Sequence, residues 1–98
     1  MQQDAIAEIG IDAKDRLYVK PCSVALPYIY REAMEVHWDS DGLFLYSPKP
    51  REWSYAQWFK QIVAAAREQS CQLAISQSTT WVNIPASVQA EILAASGT

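Results

Sequence analysis

The sequence predicts an α+β fold: a mainly antiparallel sheet of two hairpins plus one strand, with two helices packed on one face, in the order ββββαβα. Three observations predict it. Two stretches alternate apolar and polar residues on both sides of a short turn, one in the first twenty residues and one around Asp39 to Gly42. The segment PREWSYAQWFKQ, Pro50 to Gln61, carries every mark of a capped helix start. A short apolar strand and a second helical pattern complete the chain. Ninety-eight residues, half of them hydrophobic, suffice for one domain over 1–98 with a core of its own.

The first hairpin is read from Ala7, Ile9 and Ile11, which alternate with Glu8, Gly10 and Asp12, and from Leu17 and Val19, which alternate with Arg16, Tyr18 and Lys20. The apolar sets share a face only if Ile11 lies opposite Leu17 and Ile9 opposite Val19. That register leaves Ala13-Lys14-Asp15 as the loop, with Asp15 as the left-handed residue, and sets Asp12 beside Arg16 on the wet face. Pro21 to Pro27 is a connection, and Tyr28 to Ala33 fits a strand or a helical turn equally well.

The second hairpin follows from Met34, Val36 and Trp38 alternating with Glu35, His37 and Asp39, then the turn Asp39-Ser40-Asp41-Gly42, then Leu43 to Tyr46. Pairing Trp38 with Leu43 puts Met34, Val36, Trp38, Leu43 and Leu45 on one face and Glu35, His37, Phe44 and Tyr46 on the other. Pro48 and Pro50 end the strand, since proline cannot donate to a ladder.

Ser54 is the expected N-cap of a helix over Tyr55 to about Gln69. Gln57, three residues on, closes a capping box, and Trp53 and Trp58 occupy the two positions of a hydrophobic staple. Tyr55, Trp58, Phe59, Ile62 and Ala66 form the buried stripe, while Lys60, Gln61, Arg67 and Glu68 face outward. Core packing is the bland account of these rings, and the wall of a pocket is the functional one. Cys71 to Ser76 reads as a strand with Leu73 and Ile75 inward, and Gln77 to Thr80 as a loop. The last helix is expected from Ile84 or Pro85 to about Ala95, capped by Asn83, with Ser96-Gly97-Thr98 frayed.

Charge and composition exclude several functions. The net charge is −3, and Lys and Arg form no run, which argues against phosphate-driven nucleic-acid binding. Cys22 and Cys71 lack zinc spacing, and no segment reads as a signal peptide or a membrane span. A cytoplasmic protein with reduced thiols, no cofactor and no membrane partner is expected. Charged residues are only 19% of the chain, which favours surface hidden in a homo-oligomer.

No motif names a reaction. Glu35, His37 and Asp39 line up around the only histidine. However, successive same-face residues of a strand lie two rises apart, too far to close on one ion unaided. Three scattered glycines make no phosphate loop. No catalytic residue and no metal site is therefore assigned. The aromatic pair Phe44 and Tyr46, beside Glu35 and His37, marks an oligomer or partner interface on the helix-free side of the sheet. Two alternatives stand beside that leading reading. One is a small-molecule pocket near Trp53, Trp58 and Trp81, with Arg31 or Arg51 on an anionic or aromatic ligand. The other is an enzyme using His37 and Glu35.

The segments YREAMEVHWD, Tyr30 to Asp39, and LYSPKPREWSYAQWFKQI, Leu45 to Ile62, resemble bacterial hypothetical proteins encoded in integron gene cassettes. The similarity covers most of the chain and is strongest over these two segments. It implies a compact α+β domain of mobile-gene origin. It implies no activity, so it brings no catalytic residues.

Overall fold

Residues 2–96 are described by a computed structural model, in which six strands form one mixed sheet. The strands are β1 (Gln2–Ile11), β2 (Leu17–Pro21), β3 (His37–Asp39), β4 (Phe44–Tyr46), β5 (Cys71–Ala74) and β6 (Thr80–Val82). The helices are α1 (Tyr55–Glu68) and α2 (Ala86–Ser96), with a short 3-10 turn at Ile29–Arg31. The sheet order is β3-β4-β2-β1-β5, and β6 also pairs with β1. Gly97 and Thr98, expected to fray, lie outside the described residues.

The first hairpin has the register that alternation demands. Ile9 pairs with Val19 and Ile11 with Leu17. Asp15 turns the loop with a φ of 62°. Asp12 meets Arg16 at 2.7 Å. β1 is longer than expected, because Gln2 to Ala5 pair with β5, a partner sixty-nine residues away that no local pattern reveals. The register also slips between Ile6 and Glu8. One extra residue there moves the inward position from Ala7 to Ile6, which is fully buried.

The second hairpin keeps Val36, Trp38 and Leu45 inward and His37, Phe44 and Tyr46 outward, as predicted, but not its predicted register. Trp38 pairs with Leu45 rather than Leu43, a shift of two that preserves sidedness. The turn is Ser40 to Leu43, because Leu43 rather than Gly42 takes the left-handed conformation, with a φ of 61°. Met34 and Leu43 accordingly leave the inward face: they are 90% and 52% exposed. Met34 lies ahead of the strand, in a turned segment closed by Val36 N–H donating to the Ala33 carbonyl at 3.2 Å.

The sheet is mixed because β5 follows a helix. β4 runs parallel to β1, and the crossover through α1 returns the chain in the same direction. β6 takes in Thr80, expected in a loop, and Trp81 and Val82, for which no element is expected. It pairs Thr80, Trp81 and Val82 with Glu8, Ile9 and Gly10, along the same edge of β1 as β5. The excursion between β5 and β6 is tied down by Thr79. Its buried hydroxyl donates to the Ile6 carbonyl at 2.7 Å and accepts from Ser76 N–H at 3.0 Å. Asn83 is not a helix cap. It sits before Pro85 with a φ of 56°, and its amide donates to the Ile11 carbonyl at 3.2 Å.

α1 packs against β2 and β5, and α2 packs against α1. Ile6, Ile9, Leu17, Val19 and Leu45 from the strands meet Phe59, Ile62 and Ile92 from the helices in one core. Each such side chain contributes about 1.5–3 kcal/mol on full burial. Among the described residues no helix lies over the opposite face of the sheet, and this face and the start of α1 hold the candidate sites.

Candidate functional site

The helix-free face is built from the outward residues of β1, β2, β4 and β3. Inward Leu17, Val19 and Leu45 force Arg16, Tyr18, Lys20, Phe44 and Tyr46 outward. Tyr18 lies across Gly10, where any Cβ would come within 2.4 Å of the phenol ring. Phe44 lies across Gly42 in the same way, with 2.2 Å left for a Cβ. A side chain at either glycine would push the ring off the sheet, so the two glycines let Tyr18 and Phe44 lie flat.

The rings form a continuous strip. Tyr18 and Phe44 have centroids 5.1 Å apart, Phe44 and Tyr46 are 6.1 Å apart, and Tyr46 and His37 are 5.3 Å apart. The Arg16 guanidinium sits 4.5 Å over Tyr46, and Tyr18 donates to the Glu8 carboxylate at 2.6 Å. Burial pushes the Tyr18 hydroxyl pKa well up, and the Glu8 carboxylate pushes it further. Tyr18 is thus a neutral phenol locked as a donor. His37, Phe44 and Tyr46 come together as expected. Glu35 does not join them, because it precedes β3. Tyr18 and Arg16 were not singled out, although their alternation with Leu17 and Val19 already placed them on this side.

The Asp39 carboxylate serves the hairpin turn. Asp39 accepts from Asp41 and Gly42 N–H at 2.9 Å each, which commits one of its oxygens to the turn. Among the described residues, no three His, Cys, Asp or Glu side chains gather to hold a metal ion.

A second site lies where the Pro-rich bend enters α1. Ser54 accepts from Gln57 N–H at 3.2 Å, and Gln57 accepts from Ser54 N–H at 2.8 Å, which completes the capping box. The staple is present too, with Trp53 and Trp58 centroids 4.8 Å apart at 53°. Glu35, Pro48, Lys49, Arg51, Glu52, Trp53 and Trp58 line an open cleft of about 380 Å³ there. Of the expected ligand residues, Arg51, Trp53 and Trp58 meet in it. Trp81 lies on β6 against the core, and Arg31 stacks on Tyr28 at 4.8 Å, so neither lines the cleft.

The model of the integron cassette protein family Hfx_Cass5 matches residues 4–79. The chain belongs to the Hfx_Cass5 family of integron cassette proteins. It is also similar to a solved structure from the mobile metagenome of North West Arm Sewage Outfall, the integron cassette protein Hfx_Cass5. That likeness has 49% identity, covers 100% of this chain and 99% of the other, and has a TM-score of 0.50. No curated protein matches. Membership in the Hfx_Cass5 family agrees with the resemblance of the hairpin and capped-helix segments, and it assigns no activity. Among the described residues, no helix is long and apolar enough to cross a membrane.

Proposed function

We propose that this Hfx_Cass5-family protein is a small cytoplasmic interaction domain that self-associates through the helix-free face of its sheet, with no catalysis of its own. The observation that carries this reading is the strip of Tyr18, Phe44, Tyr46 and His37, all on one uncovered face. Aromatic rings of this kind anchor interfaces, because they bury a large area at little entropic cost. A twofold contact sets a patch against its own copy, so the patch must carry both charge signs. Glu8, Arg16 and Lys20 supply both along the strip.

The chemistry around the strip supports binding over catalysis. Asp39 commits one oxygen to its turn, Glu35 lines the cleft at α1, and among the described residues His37 makes no hydrogen bond or ion pair with a carboxylate. Net charge −3 and the absence of a basic run speak for a protein partner rather than a nucleic acid. Two free cysteines, Cys22 exposed and Cys71 buried, suit a reducing compartment. Light scattering across a dilution series tests the proposal. A mass of two or more chains that falls on dilution supports it, and the mass of one chain at every concentration overturns it.

A further inference from the structure

The cleft at the start of α1 carries an inference separate from self-association. We propose that it binds a small zwitterion that joins a quaternary ammonium to a carboxylate, glycine betaine being the simplest example. The aromatic part of the argument rests on Trp53. It leans on Trp58, which is 8% exposed, yet Trp53 itself stays 43% exposed. Among the described residues the cation–π contacts lie elsewhere, Arg16 on Tyr46 and Arg31 on Tyr28. A part-exposed indole in a cleft that carboxylates also line attracts a weakly hydrated organic cation, and tryptophan is the strongest of the aromatic side chains for this purpose.

The charges decide the rest. Lys49 reaches away to Asp15 at 3.5 Å. Among the described residues, Glu35, Glu52 and Arg51 make no ion pair. The cleft thus presents two uncompensated carboxylates and one uncompensated guanidinium around an aromatic wall. A simple anion meets both glutamates. A simple cation meets Arg51. A zwitterion answers both signs, with its ammonium methyls on Trp53 near the carboxylates and its own carboxylate on the Arg51 fork. The cleft volume of about 380 Å³ falls in the range of small-molecule sites.

The staple by itself explains only an apolar contact, and leucine at position 53 preserves one. That difference gives the test. Glycine betaine is titrated into the whole protein, with heat and indole fluorescence recorded, and choline and acetate serve as single-charge controls. Saturable betaine binding, tighter than either control, is expected. Trp53→Leu should weaken it about tenfold, the size of one cation–π contact. Arg51→Ala, in an exposed bend, should weaken betaine and strengthen choline. No saturable betaine binding overturns the proposal, as does betaine affinity unchanged by either variant. Should Trp53→Leu fail to fold, the opposite responses of betaine and choline to Arg51→Ala decide alone.

Discussion

Ser54 holds the first turn of α1 by a reciprocal pair of hydrogen bonds with Gln57, and both bonds were legible from the spacing of the two residues. Ser54→Ala should lower stability by about 1 kcal/mol in urea denaturation, since it strands a donor at the helix start. An unchanged midpoint would contradict that role. Leu43 shows the reverse case, a residue whose conformation no sequence rule anticipated. A branched side chain at φ 61° is held against its preference, and Leu43 is 52% exposed, so little packing offsets that strain. Leu43→Gly should raise stability by about 0.5–1 kcal/mol, even after the greater chain entropy of glycine is counted. A loss of stability would mean that the leucine packs more than its exposure suggests. Asp12 links the hairpin to pH. Burial alone raises its pKa, but backbone and side-chain bonds from Arg16, with Lys14 N–H, outweigh burial and hold the carboxyl below its ordinary 3.8. A depressed carboxyl stabilises the fold fully above its unfolded value, and that contribution is lost as the pH falls through the folded one. Asp12→Asn should therefore destabilise at neutral pH, and the gap to wild type should close as the pH drops below about 3.8. A gap that stays constant with pH would contradict the carboxylate's role.

At the scale of elements, local pattern was readable and distant pairing was not. The register of β1 with β2 follows from alternation, because one face is buried and a one-residue slip would expose it. Ile6 escaped notice because a bulge breaks the same alternation. Gln2 to Ala5 and Thr80 to Val82 are strands only by virtue of partners far along the chain, and neither carries apolar periodicity of its own. β5 and β6 act as one interrupted edge strand on β1, and Thr79 is the clasp across the interruption. The hydroxyl run at Ser78 to Thr80 hinted at a turn, but not that its middle residue bonds a carbonyl seventy-three positions away. Thr79→Val keeps the shape and removes both bonds. It should cost about 1–3 kcal/mol, because the Ile6 carbonyl and Ser76 N–H are left without that partner. Equal urea midpoints for the two proteins would show that both backbone groups find other partners.

At the scale of the whole molecule, α1 lies on one side of the sheet with α2 packed on it, and an aromatic strip lies on the other side. The sequence foretold which rings would lie there, since Phe44 and Tyr46 must oppose inward Leu45. Their arrangement was not foretold. Phe44 lies over Gly42 and against Tyr18, Tyr46 lies between Phe44 and His37, and Glu35 belongs to the cleft at α1 instead of to their rim. The cleft was half legible: the staple placed Trp53 and Trp58 together, but only the folded bend brought Glu35 and Arg51 to them. Self-association through the strip is the central claim, and Tyr46 is one of its two inner rings, next to His37, Phe44 and Arg16. Tyr46→Asp would set two carboxylates against each other across a twofold axis. The direct measurement is the mass in solution of wild type and Tyr46→Asp by light scattering, with circular dichroism confirming that the variant is folded. The account predicts an oligomeric wild type and a folded, monomeric variant. A monomeric wild type, or an oligomer that the substitution leaves intact, would contradict it.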